Sequence, residues 1–442
     1  MHLSAEPQGG KGAFIRIHNL TEESINFSTI EQKGISEGGN FSGALDAGKS
    51  TDWMYVEANR FSFSTEVALK MFTSSHSCSA SYGQSGSHWW AKKKTSEGLL
   101  AYEQIQTSGD QDRLDIYVIY PANRWMSRDK RVHSRSLSQI CIPGAHDAGM
   151  GVVKDCSPYA NANTTQTQSK SFMEMLNLGV RYFDVRTIID FNDQFRIGHF
   201  NYINETHDFV IGTLNLGNEG CMGYSIDEML NDVKKFAEDA SQNNQELVVL
   251  NLNHLINWKR GVDRENFNQD DLNRLAKVVK DKLGNLLIKG QSNLITTPIS
   301  TLTGGSAKIL VVFEADGFDG KDGIYSLSSL GLFDRYAEKA EPGPMIQDQM
   351  EKMQSNWNKS YFLLSWTLTQ SSSDHINFVK CFAKLDGCVS IQNLAAQANS
   401  RLWSNLADGV STSTGFPNIL YTDFIVDDLQ ITINSIINSK RY

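Results

Sequence analysis

The strongest constraint on how this chain folds is a change of rhythm about a quarter of the way along it. Between residues 13 and 120 apolar and polar residues alternate, as in Phe14-Ile15-Arg16-Ile17-His18, Phe61-Ser62-Phe63-Ser64 and Leu114-Asp115-Ile116-Tyr117-Val118. A period of two sends successive side chains to opposite faces, which is what a half-buried strand requires. Gly38-Gly39-Asn40, Asp46-Ala47-Gly48 and Ser108-Gly109-Asp110 punctuate the strands at short intervals with turn-forming residues. Many short strands with almost no helical period predict an all-β sandwich over residues 1–124.

Beyond the basic stretch 124–135 the period changes. Short apolar runs occupy residues 140–143, 180–189, 195–200, 247–255, 294–297, 308–315, 361–368 and 418–426. Amphipathic stretches separate several of them: Ile226, Met229, Leu230, Val233 and Phe236 share one helical face, as do Leu272, Leu275, Ala276, Val279 and Leu283. Near-continuous apolar runs followed by helices are the mark of buried parallel strands. Eight of them predict an α/β region, an irregular (β/α)8 TIM-type barrel, over residues 125–442.

Charge narrows the partners. The chain carries 41 Lys and Arg against 50 Asp and Glu, a net charge of -9. Neither region is basic, so bulk electrostatics exclude a nucleic-acid binder and a purely charge-driven grip on anionic membrane. No apolar run approaches the ~18 residues of a spanning helix. Residues 1–11 are polar and show no signal-peptide core; a secreted location and a cytoplasmic one both remain open. Six cysteines allow up to three disulfides, and Cys381 and Cys388 are spaced to close a small ring.

In a barrel the chemistry gathers at the C-terminal ends of the strands. The polar residues there are His146-Asp147, Asp184 and Arg186, His199, Asn253-His254, Glu314 and Asp316, Trp366, and Asp423. Two imidazoles and a guanidinium are the equipment for cleaving a phosphodiester. A neutral His takes a proton from an attacking hydroxyl, and a protonated one returns a proton to the leaving alkoxide. Arg offers a fixed charge and paired donors to the non-bridging oxygens. Carboxylates behind the histidines fix tautomer and orientation.

Two motifs carry a family resemblance. Ile142-Pro143-Gly144-Ala145-His146-Asp147-Ala148-Gly149 and Gly179-Val180-Arg181-Tyr182-Phe183-Asp184-Val185-Arg186, followed by His199, resemble the X-region of phosphatidylinositol-specific phospholipase C. Residues 247–254 and Leu420-Tyr421-Thr422-Asp423-Phe424 extend the likeness, which covers about 137–430. The resemblance implies attack by the inositol 2-hydroxyl, giving diacylglycerol and a cyclic inositol phosphate. It implies His146 as general base oriented by Asp423, and His199 as general acid helped by Asp147. Arg186 would neutralise the phosphate, with Asp184 beside it. It also makes an inositol phospholipid the expected partner, with peripheral membrane contact and a secreted setting. The calcium-dependent members have an acidic residue where Arg186 stands and a Glu where Asn253 stands, so the expectation is no metal and no cofactor. Asn253 and Glu314 occupy positions where bacterial-type members carry basic residues that hold substrate. With Trp366 they are the expected substrate-binding set, and the lost positive charge leaves room for a glycosylated inositol lipid.

The first region offers one further feature. His88-Trp89-Trp90-Ala91-Lys92-Lys93-Lys94 sets Trp89 and Trp90 beside Lys92, Lys93 and Lys94. As a loop it would place indoles at headgroup level and ammonium groups on phosphates; as a strand it would bury Trp instead. The opening strands faintly resemble aegerolysin-type sandwiches. The rival to an enzyme is therefore a lipid- or glycan-binding toxin or lectin-like protein with a vestigial barrel. His207-Asp208 and Gly217-x-x-Gly220-x-x-Gly223 read as surface and rim loops.

Overall fold

A computed structural model describes residues 12–440, apart from 60–63, 86–87, 95–97, 109–110, 204–216, 240–242, 259–264, 371–379, 382 and 408–414. The chain divides into two compact units, Met1–Arg131 and Val132–Arg441.

The first unit is built from ten strands: β1 (Gly12–Asn19), β2 (Ile25–Lys33), β3 (Ile35–Gly38), β4 (Ser42–Leu45), β5 (Met54–Ala58), β6 (Ser64–Phe72), β7 (Ser77–Ser85), β8 (His88–Lys94), β9 (Leu100–Ser108) and β10 (Gln111–Ile119). They form two five-stranded sheets, β3-β5-β1-β10-β9 and β4-β2-β6-β7-β8. The alternation in β1 sends Ala13, Ile15 and Ile17 wholly inside and leaves Phe14, Arg16 and His18 half-buried. Ile15, Ile17, Leu114 and Ile116 of one sheet and Val67, Leu69 and Met71 of the other belong to one apolar cluster. Residues 88–94 are a strand rather than a loop. β8 pairs antiparallel with β7, and Trp90 faces Gly83, where a Cβ would come within 2.5 Å of the indole. Trp90 is half-buried and Lys92 exposed; the side chains of Trp89, Lys93 and Lys94 lie outside the described residues.

The second unit contains β11 (Ile142–Ala145), β12 (Lys154–Cys156), β13 (Tyr182–Ile189), β14 (Phe195–Ile203), β15 (Gly217–Ser225), β16 (Leu247–Asn257), β17 (Glu265–Asn266), β18 (Lys308–Phe313), β19 (Ile324–Ser326), β20 (Leu332–Asp334), β21 (Tyr361–Trp366) and β22 (Ile419–Thr422). Eight of these run parallel in the order β19-β18-β16-β13-β11-β22-β21-β20. Among the described residues nothing pairs β19 with β20, so the ladder is open where a closed barrel was expected. Each of those strands is three residues long, with the short turn Leu327–Leu330 between them.

Two of the expected parallel strands are corrected. The 195–200 run belongs to β14, which is antiparallel to β13, and residues 294–297 form no strand. Their places in the ladder are taken by β19 and β20. The Gly-rich segment 217–223, expected as a loop, lies in β15, and His207-Asp208 falls outside the described residues.

Both amphipathic stretches are helices, Ile226–Glu238 and Gln269–Leu283, and their apolar faces are buried. Ser225 with Glu228, and Asn268 with Asp271, close reciprocal hydrogen bonds over the first turns and so satisfy otherwise orphaned N–H groups. Disulfides join Cys156 to Cys221 and Cys381 to Cys388, while Cys78 and Cys141 are buried thiols. No helix among the described residues is long and apolar enough to cross a membrane.

Beneath the ladder, at the start of β13, Arg181 and Glu246 are wholly buried and meet at 2.7 Å. The Arg181 guanidinium also donates to the carbonyls of Leu176 and Val180, each at 2.8 Å. Removing one member strands a charge out of water. Glu246→Ala is expected to destabilise the protein by about 3–5 kcal/mol, measured as a drop in the urea midpoint. A paired replacement by apolar residues should cost much less.

Candidate active site

β11 ends at Ala145, and His146 follows directly, with its N–H bonded to the Thr422 carbonyl at the end of β22 (3.0 Å). Asp147 then turns into the left-handed region, φ 40°, so the chain folds back and its N–H reaches Asp184 Oδ2 at 2.9 Å. His254 (φ 47°), inside β16, and Phe424 (φ 45°), two residues past β22, also have positive φ. Strained backbone at such positions is tolerable only where the surroundings over-determine it, and it clusters at functional sites.

Past Ala145 the edge of β13 is taken over by β14, which pairs Thr187–Ile189 with residues 195–197. That arrangement brings His199 back over the end of β11. Gly149 makes it possible, because a Cβ there would lie 2.2 Å from Ile197.

The result is one chain of contacts. Asp423 Oδ1 lies 2.6 Å from His146 Nδ1. His146 Nε2 lies 2.7 Å from Arg186 Nη2. Arg186 Nη1 is 3.8 Å from Asp147 Oδ2, and the same oxygen is 3.0 Å from His199 Nδ1. A guanidinium can only donate. His146 therefore accepts at Nε2 and donates at Nδ1 to Asp423, which defines its neutral tautomer. Burial pulls His146 down, but the Asp423 carboxylate outweighs it and the net shift is upward.

Asp184 sits behind Arg186, 3.7 Å from Nε. It also accepts from Asn253 Nδ2 and from the Tyr421 hydroxyl. Burial alone would raise it; Arg186 and His146 reverse that and bring it to about 2. Burial opposes the charge on Arg186, but Asp147 and Asp184 more than compensate and raise its pKa further.

The expected substrate residues divide. Asn253, paired in register with Arg186, belongs to the cluster through Asp184. Exposed Glu314, one residue beyond β18, accepts from the His254 N–H at 2.7 Å. Trp366 is the exception: it is completely buried, with its indole N–H bonded to the Ala398 carbonyl at 2.8 Å. A side chain enclosed in the core cannot line an opening, so Trp366 is removed from the substrate set.

The sequence reading missed Asp334. It ends β20, and although water reaches it, desolvation and then the charge of Asp184 raise its carboxyl to about 6. As the last residue of β20 it stands at the same end of the parallel ladder as His146. A three-residue strand carries no periodic signal that would have marked its end. His254 also acts on this cluster. Burial, then Arg186, lowers its pKa.

Buried amides fix the backbone around the cluster. Gln168 donates to the carbonyls of His146 (2.9 Å) and Thr422 (3.0 Å) and accepts from the Ile425 N–H. Asn399 donates to the Asp423 carbonyl at 2.9 Å. No sequence pattern marks either residue. Among the described residues, no group of three or more His, Cys, Asp or Glu side chains converges as a metal site.

No family model and no curated protein matches the sequence. Among solved structures the chain is similar to phosphatidylinositol-specific phospholipase C of Staphylococcus aureus. One structure, concerned with modulation of that enzyme's membrane binding, is 18% identical, covers 72% of this chain and 97% of its own, and has a TM-score of 0.47. Its F249X mutant is likewise 18% identical, covers 71% and 98%, and has a TM-score of 0.47.

The lowered pKa of Asp184 ties stability to acid. A carboxyl depressed in the folded state stabilises the fold above its unfolded pKa, and that contribution is lost as pH falls through the folded value. Between the ordinary 3.8 and about 2, roughly 2 kcal/mol should disappear. Urea unfolding measured from pH 5 to pH 2 should show this slope, and Asp184→Asn should flatten it.

Proposed function

We propose that the second unit is a phosphodiesterase that cleaves an inositol phospholipid to diacylglycerol and a cyclic inositol phosphate. We read this unit as an irregular, unclosed (β/α)8 barrel and the first as a β-sandwich module. The observation that carries the activity is the continuous line Asp423–His146–Arg186–Asp147–His199, which sets two carboxylate-backed imidazoles on either side of one guanidinium.

In the ground state Arg186 occupies the lone pair of His146. A phosphate entering the mouth gives Arg186 a better acceptor, and His146 Nε2 is released to the hydroxyl beside the phosphorus. His146 takes the proton from that hydroxyl, whose oxygen forms the new P–O bond of the ring. The bond to the glycerol oxygen breaks, and His199 protonates the departing alkoxide. Asp423 stabilises the imidazolium formed at 146, and Asp147, 3.0 Å from His199 Nδ1, orients the second ring. Arg186 supplies positive charge to the non-bridging oxygens, so the scheme calls for no metal.

The test is hydrolysis of phosphatidylinositol in the presence of EDTA, followed by phosphorus NMR. A cyclic phosphate product is expected, and activity restored only by calcium would overturn the reading. His146→Ala and His199→Ala should each reduce turnover ~10²–10⁴-fold. Arg186→Lys should cost about 10²–10³-fold, because a point charge does not reproduce a planar fork.

The pH profile gives an independent measurement. His146 must be neutral to act as base, so activity rises as pH climbs through its pKa. Asp423 holds that pKa up. Asp423→Asn should therefore lower the maximal rate and move the acidic limb of the profile to lower pH.

A further inference from the structure

The Gly217-x-x-Gly220-x-x-Gly223 motif has no part in the acid–base line, yet it lies against the strand that carries His199. β15 pairs antiparallel with β14, with Cys221 opposite His199 and Gly220 opposite Phe200. A Cβ at Gly220 would come within 2.0 Å of the His199 carbonyl oxygen, and one at Gly223 within 2.0 Å of the Gly149 carbonyl oxygen. Glycine at both positions lets β15 press on the backbone of His199 and on the turn that follows Asp147.

β15 is held in turn from its outer edge. Among the described residues β12 pairs only with β15, at Lys154 with Met222 and at Cys156 with Cys221. Two ladder pairs with an irregularity between them make a weak attachment. The Cys156–Cys221 disulfide adds a covalent one. Just beyond it the Ser157 N–H donates to the Gly220 carbonyl and the Gly220 N–H to Ser157 Oγ, each at 2.9 Å. The Ser157 hydroxyl and the Tyr159 N–H both reach the buried Glu219 carboxylate. Residues 219–221, clasped in this way, are those paired with residues 199–201. The disulfide joins positions 65 apart, and the loop it closes contains Asp184, Arg186 and His199.

The two sulfurs differ in access. Cys221 is wholly buried, whereas Cys156 lies on an exposed strand. A thiolate in solvent therefore meets Cys156 Sγ first, and access of this kind decides which sulfur is attacked.

We propose that the Cys156–Cys221 disulfide is a thiol-sensitive clamp that positions His199 to protonate the leaving group. A dithiol opens it in two steps. One thiolate attacks Cys156 Sγ, the Sγ–Sγ bond breaks, and Cys221 leaves as a thiolate and takes up a proton. The second thiolate of the reductant attacks the reductant's own sulfur in the mixed disulfide, and Cys156 leaves and is protonated. The dithiol gives two electrons and ends as a cyclic disulfide. With the clamp open, β15 loses its outer support and His199 its fixed place 3.0 Å from Asp147. His146 stays, because Asp423 and Arg186 hold its ring. The acid role of His199 rests on the phosphodiesterase reading above, so the experiment includes a readout that needs no turnover.

The full chain is reduced with dithiothreitol, its thiols are alkylated, and cleavage of phosphatidylinositol is compared with that of a 4-nitrophenyl ester of inositol phosphate. Nitrophenolate departs without a proton, so an acid at His199 matters only for the lipid. Reduction should lower lipid turnover about tenfold or more and ester turnover about twofold or less. The double variant Cys156→Ser, Cys221→Ser should behave as the reduced protein does. A variant with Cys381→Ser and Cys388→Ser should still respond to reduction; a lost response there would assign the effect to the other bridge and overturn the proposal. In carbon-13 NMR of labelled histidine, the ring signals of His199, assigned with His199→Ala, should shift on reduction while those of His146 hold. An oxidised protein that never cleaves phosphatidylinositol, with the His199 shift intact, would sink the chemistry and leave the clamp standing. Equal loss on both substrates, full lipid turnover after Cys156 is alkylated, a Cys156 that resists the dithiol in the folded protein, or an unmoved His199 signal would each overturn it.

Discussion

The second unit depends on one guanidinium. Asp147, Asp184 and Asp423 are all removed from water, and a buried carboxylate without a partner would either protonate or unfold its surroundings. Arg186 lies against two of them and donates to the imidazole that binds the third. Its charge lets three acids be packed at the end of a parallel ladder. The left-handed turn at Asp147 follows from the same arrangement, because it brings the Asp147 N–H onto Asp184.

Around this charged centre the backbone is held by neutral groups. Gln168 ties β11 to β22, Asn399 holds the Asp423 carbonyl, and Thr167 Oγ1 donates to the Asp147 carbonyl at 2.9 Å. Gln430 Nε2 bonds the carbonyls of Gly144 and Leu420 beneath them. Each amide satisfies carbonyls that the ends of the strands leave open, which is the usual demand of buried backbone. The backbone that carries His146 is thus held by neutral side chains, while Asp423 and Arg186 hold its ring. Precision of that kind is what acid–base chemistry needs from a scaffold.

The parts legible in the sequence were those with a period or a motif. Runs such as 247–255 and 308–315 are long, apolar and β-branched, and they became β16 and β18. His146, Asp147, Asp184, Arg186 and His199 share two motifs and one short interval, and they meet in space. Asp334 was hidden because β20 is three residues long, and Gln168 and Asn399 because a hydrogen-bonding amide leaves no spacing to detect. Trp366 misled for the converse reason. A strand end was taken to face the opening, whereas its indole turns into the core toward Ala398. Residue 195 onward looked like another parallel strand because an apolar run does not encode its direction. Only the close approach permitted by Gly149 reveals why β14 doubles back.

The gap between β19 and β20 divides the mouth into unequal sides. His146, Arg186 and His199 hang from strands paired on both edges or braced by β14 and the Cys156–Cys221 bridge. Asp334 hangs from a strand that the ladder grips on one edge only. Residues inserted between Ser326 and Leu332 would interrupt no pairing. The architecture thus keeps His146, Arg186 and His199 on a fixed jaw and leaves the other jaw adjustable, so the width of the opening can drift without disturbing the imidazole–guanidinium cluster.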